Sequence, residues 1–112
     1  MTFFRLFLAC FLIAITGYTA VTISGHGFNL VPVFFGDMAK MGWPGQFNFD
    51  FMGFLALSAI WVGWRHSFRP AGLGLGLLAF FGGMMFLSLY LLIESYRTRG
   101  DIAALLLGPE RV

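Results

Sequence analysis

The chain has 112 residues, of which 59% are hydrophobic and 11% charged, with seven Lys and Arg against five Asp and Glu for a formal net charge of +2. Soluble domains carry about 25% charged residues and leave roughly a third of their surface in water at this size, so these side chains cannot clothe a water-facing globule, whereas lipid removes the difficulty. The basic residues (Arg5, Lys40, Arg65, Arg69, Arg97, Arg99, Arg111) are scattered between apolar runs, which suits headgroup anchors and excludes the contiguous patch that nucleic acid requires.

Residues 2–24 form the first apolar run, near the ~20 residues that cross a ~30 Å hydrocarbon core, and predict a transmembrane helix. Arg5 followed by Leu6 to Ile15 also fits a cleaved secretory leader. Small residues at the cleavage spacing are sparse around Tyr18, Thr19 and Ala20, and the run continues through Val21 and Ile23, which favours a retained span. Cys10, the single cysteine, precludes an intrachain disulfide. It stands too early for a lipoprotein acceptor, because the apolar stretch mostly follows it.

Residues 28–41 are interrupted by Pro32, Asp37 and Lys40 and are too short to span. They predict an interfacial helix with Pro32 in its first turn and an apolar stripe of Val33, Phe34, Met38 and Met41. Trp43 belongs to the aromatic belt at headgroup level. The second apolar run, 47–64, is the shortest and ends at Arg65 and His66; Pro70 both stops one helix and starts the next. The third run, 71–95, has room for tilt, and the tail, 101–112, is expected to rest on the membrane surface. The predicted fold class is an all-α membrane protein, one integral membrane domain over 1–112 with three transmembrane helices and an interfacial helical segment between the first and second.

Gly72, Gly76, Ala79 and Gly83 line one narrow face of the third helix, and small faces let helices approach closely where lipid supplies no hydrophobic drive. Cys10, Ala14 and Gly17 form a similar seam in the first helix, and Ala56, Ala59 and Gly63 in the second. A nucleotide fingerprint at Gly72, Gly74 and Gly76 fails at Leu77 and lacks a preceding strand. Three straight spans divide the basic residues three (Arg5, Arg65, Arg69) to four (Lys40, Arg97, Arg99, Arg111), a near balance; the compact Arg65 to Arg69 connection and the amino terminus favour a cytoplasmic N-terminus, in a membrane of bacterial inner-membrane type.

Antiparallel spans also bring Asp50, near the start of the second helix, to the same membrane face as Glu94, Arg97, His26 and Asn48. Two readings stay open for this polar site. In one, Asp50 caps its helix and complements the dipole, or pairs with Arg97. In the other, Asp50 and Glu94 form a shallow pocket for a cation, a proton or a lipid headgroup, since ionisable groups below the headgroups are costly and tend to be functional. His26 has no second histidine or cysteine on its side, so no metal site is predicted and a bis-histidine haem is disfavoured. Lys40, the only lysine, lies in a loop, which excludes a retinal Schiff base. A stripe of Phe80, Phe81, Met84, Met85 and Phe86 would receive a lipid, quinone or pigment, although such stripes usually pack. No nucleophile and base come together, so no enzyme is expected.

Gly17, the segment His26 to Leu30, Asp50, and a glycine pair followed by Phe86-Leu87-Ser88-Leu89-Tyr90-Leu91 resemble small bacterial three-helix integral membrane proteins classed as a domain of unknown function. The resemblance implies an architecture and no activity. The function expected from the residues is helix association, as a homo-oligomer or an accessory subunit of a membrane complex. Ion or proton transport through an oligomer using Asp50 and Glu94, and ligand binding against the third helix, are the alternatives.

Overall fold

A computed structural model describes residues 1–112. They fold into α1 (Thr2–His26), α2 (Leu30–Ala39), α3 (Trp43–Arg65), α4 (Pro70–Arg97), α5 (Ile102–Leu107) and a closing 3-10 turn (Pro109–Arg111), with no strand. Helices α1, α3 and α4 are long and apolar enough to cross a membrane, with mean hydropathies of 2.2, 1.3 and 2.1. The chain is therefore an all-α integral membrane protein with a short helix, α2, between its first two long ones.

Local sequence explains the helix starts. Pro44 lies in the first turn of α3, where a missing N–H is harmless, and Gly42 precedes it in extended backbone. Those two residues begin α3 at Trp43, four positions before the apolar run itself. Pro70 opens α4 in the same way. Helix α2 lies against the beginning of α3: a side chain at Gly45 would collide with the backbone of Asp37 and Met38, and the Asn48 amide donates to the Phe34 carbonyl at 3.1 Å. Of the predicted α2 stripe, Phe34 and Met38 are half-buried, while Val33 and Met41 are exposed.

The small seams of α3 and α4 meet each other. Gly72, Gly76 and Ala79 are buried, and a Cβ on Gly76 would stand 2.9 Å from the Ala59 carbonyl oxygen, so the two backbones touch where lipid-embedded helices gain most from close packing. The last seam residue, Gly83, behaves differently. Its backbone (φ 57°, ψ −141°) breaks the helix, a conformation open to glycine because it has no Cβ.

Residues 70–82 descend along α3 from His66 and Gly63, beside Gly72, to Phe51 and Leu55, beside Gly83. Residues 84–97 then turn back, and Tyr90 and Glu94 reach Arg65 at the end of α3. The third apolar segment is thus a helical hairpin whose two ends lie at the same end of the bundle. Broken helices at membrane depth persist where protein covers them, and α3 covers this one.

The returning half of α4 receives α1. Arg5 donates from Nε to Ser95 Oγ at 3.0 Å and from Nη2 to the Ser95 carbonyl at 2.8 Å, with its guanidinium 3.9 Å from the Tyr96 ring centre. Leu8 is the one buried residue of α1. The amino terminus, the Arg65 to Pro70 connection, the end of α4 and the tail therefore share one end, and α2 with its flanks occupies the other. This corrects the expected grouping of Arg97, Arg99 and Arg111 with Lys40, which followed from treating residues 71–95 as a straight rod.

Candidate functional site

At the shared end, α3 finishes on Arg65, which is 2% exposed. Its guanidinium donates from Nε to the Leu105 carbonyl (2.7 Å), from Nη2 to the Ala104 carbonyl (3.3 Å) and from Nη1 to Tyr90 Oη (3.0 Å). The same Nη2 lies 3.2 Å from Glu94 Oε2. Glu94 is itself 4% exposed, and its other oxygen accepts from Arg97 Nη1 at 3.1 Å. A buried charge is tolerable when paired and hydrogen-bonded, and the fixed guanidinium fork meets four acceptors at once.

Tyr90 extends the cluster sideways, its hydroxyl 2.7 Å from His66 Nε2. Burial, and after it the positive charge of Arg65, lowers the His66 pKa from the ordinary imidazole value. The Tyr90 hydroxyl thus accepts from Arg65 and shares a second hydrogen bond with His66 Nε2.

Through Arg65 the cluster holds the tail. Asp101 caps α5 by accepting from the Ala103 and Ala104 amides at 3.1 and 3.4 Å, and Ala104 and Leu105 are buried. Trp61 Nε1 donates to the Leu106 carbonyl at 3.0 Å. Arg111 reaches back to the Trp64 carbonyl at 2.7 Å with its guanidinium 3.9 Å from the indole centre. The tail expected on the membrane surface is latched to the ends of α3 and α4 instead. The exposed Arg69–Glu110 pair adds little, as surface pairs generally do.

The predicted site residues fall into two groups. Glu94 and Arg97 belong to the latch. Asp50, His26 and Asn48 lie toward the opposite end: His26 is the last residue of α1 and Asn48 is bonded to α2. Fifteen residues of α3 separate Asp50 from Arg65, roughly 22 Å of helical rise, so Asp50 and Glu94 do not share a face. The Gly83 turn is the reason.

Nor does Asp50 cap its helix, since α3 begins seven residues earlier at Trp43. It is exposed and has no part in the ion pairs, which join Glu94 to Arg65 and Arg97, and Arg69 to Glu110. Among the packing residues, Gly72, Gly76 and Ala79 lie in the α3–α4 contact, while Gly83 forms the turn.

Arg65, Tyr90, His66 and Ser95 escape a sequence reading. Arg65 and His66 look like ordinary helix-end anchors, and Ser95 like filler. Tyr90, Glu94 and Arg97 do stand at helical spacing on one face, the one signal that marks a polar stripe there. Nothing in the composition says what meets it.

A second feature is apolar. A groove of about 690 Å³ runs between Phe51, Leu55, Ser58 and Trp61 of α3 and Met84 and Leu87 of α4. Of the expected ligand stripe only Met84 lines it. The Ser58 hydroxyl, buried on its wall, has no hydrogen-bond partner. No three His, Cys, Asp or Glu side chains converge as metal ligands. Comparisons with protein-family models, curated proteins and solved structures find no match to this chain.

Proposed function

We propose that this is a small membrane protein that works by helix association, as a homo-oligomer or as the accessory subunit of a larger membrane complex. The observation that carries this reading is α1. Only Leu8 of its 25 residues is buried, and its small seam of Cys10, Ala14 and Gly17 is exposed, with nothing within 4 Å of a Cβ on Gly17. The seams of α3 and α4 are occupied by each other, so the α1 seam is left for another helix. Native mass spectrometry from membranes tests this: an oligomer or a complex supports it, and a monomer that also crosslinks to nothing in cells refutes it.

Charge supports an orientation. Of the seven basic residues, Arg5, Arg65, Arg69, Arg97, Arg99 and Arg111 gather at the latch end, and Lys40 alone stands at the other. The positive-inside rule then assigns both termini to the cytoplasm, in a membrane of the bacterial inner type that the family resemblance suggests. Reporter fusions at the two termini check the assignment, and termini on opposite sides overturn it.

One observation favours a second reading, binding of a lipid, quinone or pigment: the unpartnered Ser58 hydroxyl in the wall of an apolar groove. An absorbance spectrum and lipid mass spectrometry of gently purified protein test it. Transport through Asp50 and Glu94 together draws no support from carboxylates so far apart.

A further inference from the structure

Three arginines at the latch end hold the ion pairs, Arg65, Arg69 and Arg97, and Arg111 lies over the Trp64 indole. Arg5 and Arg99 meet no carboxylate. They stand at one junction, where the start of α1 packs on the end of α4: a Cβ on Gly100, the residue after Arg99, would be 3.9 Å from Arg5 Nη2.

Neutral groups fix Arg5 in place, since Nε and Nη2 donate to Ser95 and the guanidinium rests on the Tyr96 ring. Neither partner cancels its charge. The two bonds to Ser95 use two of five N–H donors, which leaves the Nη1 pair free. Arg99 is exposed beside it.

The depth and the surroundings suit a lipid. Helix α1 has 25 residues, roughly 37 Å of rise against a hydrocarbon core of ~30 Å, so Arg5, in its first turn, stands where acyl chains give way to headgroups. Below the junction, Leu89, Ile93 and Tyr96 follow one another at helical spacing on α4 and are 47%, 49% and 64% exposed. An acyl chain has an apolar stripe to lie on, leading away from the guanidinium groups.

We infer that the α1–α4 junction binds the phosphate of an anionic phospholipid, with Arg5 as a fixed fork, Arg99 as a second charge and an acyl chain along Leu89 and Ile93. Guanidinium pairs with phosphate through two parallel hydrogen bonds, and basic pockets between membrane helices take anionic headgroups. Charge selects an anionic lipid over a zwitterionic one, because all six arginines gather at this end against Glu94, Asp101 and Glu110. No second chain is required, so the site stands apart from the association reading.

Native mass spectrometry of delipidated protein in mild detergent tests it, with dioleoyl phosphatidylglycerol as the probe and dioleoyl phosphatidylcholine as its zwitterionic counterpart. Phosphatidylglycerol binds about fivefold more tightly or better, and Arg5→Met and Arg99→Asn each weaken it about fivefold, the worth of one basic residue at an anionic lipid surface. Asparagine tolerates the left-handed backbone at Arg99 (φ 56°), so that variant keeps the fold. Arg69→Gln at the same end and Lys40→Gln at the other leave the affinity unchanged.

Equal affinity for the two lipids, or Arg5→Met and Arg99→Asn variants that bind like the wild type, overturns the proposal. An Arg69→Gln variant as weakened as Arg99→Asn does so too, since the arginines then act as a diffuse surface and not as a site. Inorganic phosphate that displaces the lipid at equal concentration marks a free-anion site and overturns the assignment to lipid.

Discussion

Replacing Arg65 by methionine removes the centre of the latch and keeps most of the side chain's length. The guanidinium serves four partners, the Leu105 and Ala104 carbonyls, the Tyr90 hydroxyl and the Glu94 carboxylate. Breaking a buried ion pair from one side costs about 3–5 kcal/mol, because the remaining charge stays buried without compensation. Glu94 keeps its bond to Arg97, which pulls the loss toward the lower value. A buried carbonyl deprived of its donor costs about 1–3 kcal/mol, but the tail relieves its two by swinging into water. The expected outcome is a loss of roughly 3 kcal/mol, taken from a typical 5–15 kcal/mol, together with an undocked tail. Denaturant titration in mixed micelles reads the first, and limited proteolysis at residues 98–112 the second. The double variant Arg65→Met with Glu94→Leu recovers most of the loss, since apolar replacement of both partners is often neutral or stabilising. An Arg65→Met protein that unfolds with the wild type and keeps its tail protected refutes the latch.

At Gly83, alanine must adopt φ 57° with ψ −141°, which costs about 1–3 kcal/mol; the variant is less stable or straightens, and a straightened α4 carries a cysteine at Val112 to the membrane side opposite one at Thr2, as labelling in a Cys10→Ser background shows. Gly76→Ala sets a Cβ 2.9 Å from the Ala59 carbonyl and destabilises by about 1–3 kcal/mol in the same titration, whereas Gly74→Ala, with nothing within 4 Å, does not. His66 has its pKa lowered on folding by burial and by Arg65, with Arg97 acting in the same direction and Glu94 and Glu110 opposing. Its contribution is therefore complete above the unfolded value of about 6.5 and declines as pH falls toward the folded one. Tail protection weakens on mild acidification, and His66→Gln, which cannot gain a proton, flattens that dependence.

Much of the architecture is legible in residues. Hydropathy and length locate α1, α3 and α4, and Pro32 and Pro70 sit in first turns as their missing N–H demands. The site is harder to read, and one glycine accounts for most of the difference. In a periodic pattern Gly83 is indistinguishable from Gly72 and Gly76, because all three continue the same narrow seam; its role depends on a φ that no periodicity records. The pair Gly82-Gly83 is a hint, yet glycines are common in membrane helices. Once α4 is taken as straight, Glu94 must travel to the end where Asp50 lies. Arg65 then appears as a headgroup anchor, although burial and four acceptors make it a structural cation. The starting point of α3 fails for a related reason, since Pro44 and Gly45 look like a turn in isolation and belong to a helix when Pro44 occupies its first turn.

The Gly83 turn also gives the charge distribution a meaning that straight helices deny it. Three rods divide the basic residues three to four, a balance from which no orientation follows. Folding the last segment back moves Arg97, Arg99 and Arg111 beside Arg5, Arg65 and Arg69, and leaves Lys40 at the other end with Asp37 and Asp50. The remaining carboxylates, Glu94, Asp101 and Glu110, are each engaged at the latch end, by two guanidinium groups, by the α5 amides and by Arg69 respectively. The carboxylates at that end are therefore satisfied within the chain. At the opposite end Asp37 and Asp50 join no ion pair, so the carboxylates that the chain leaves open lie near α2 and not at the latch, despite the latch holding more charge.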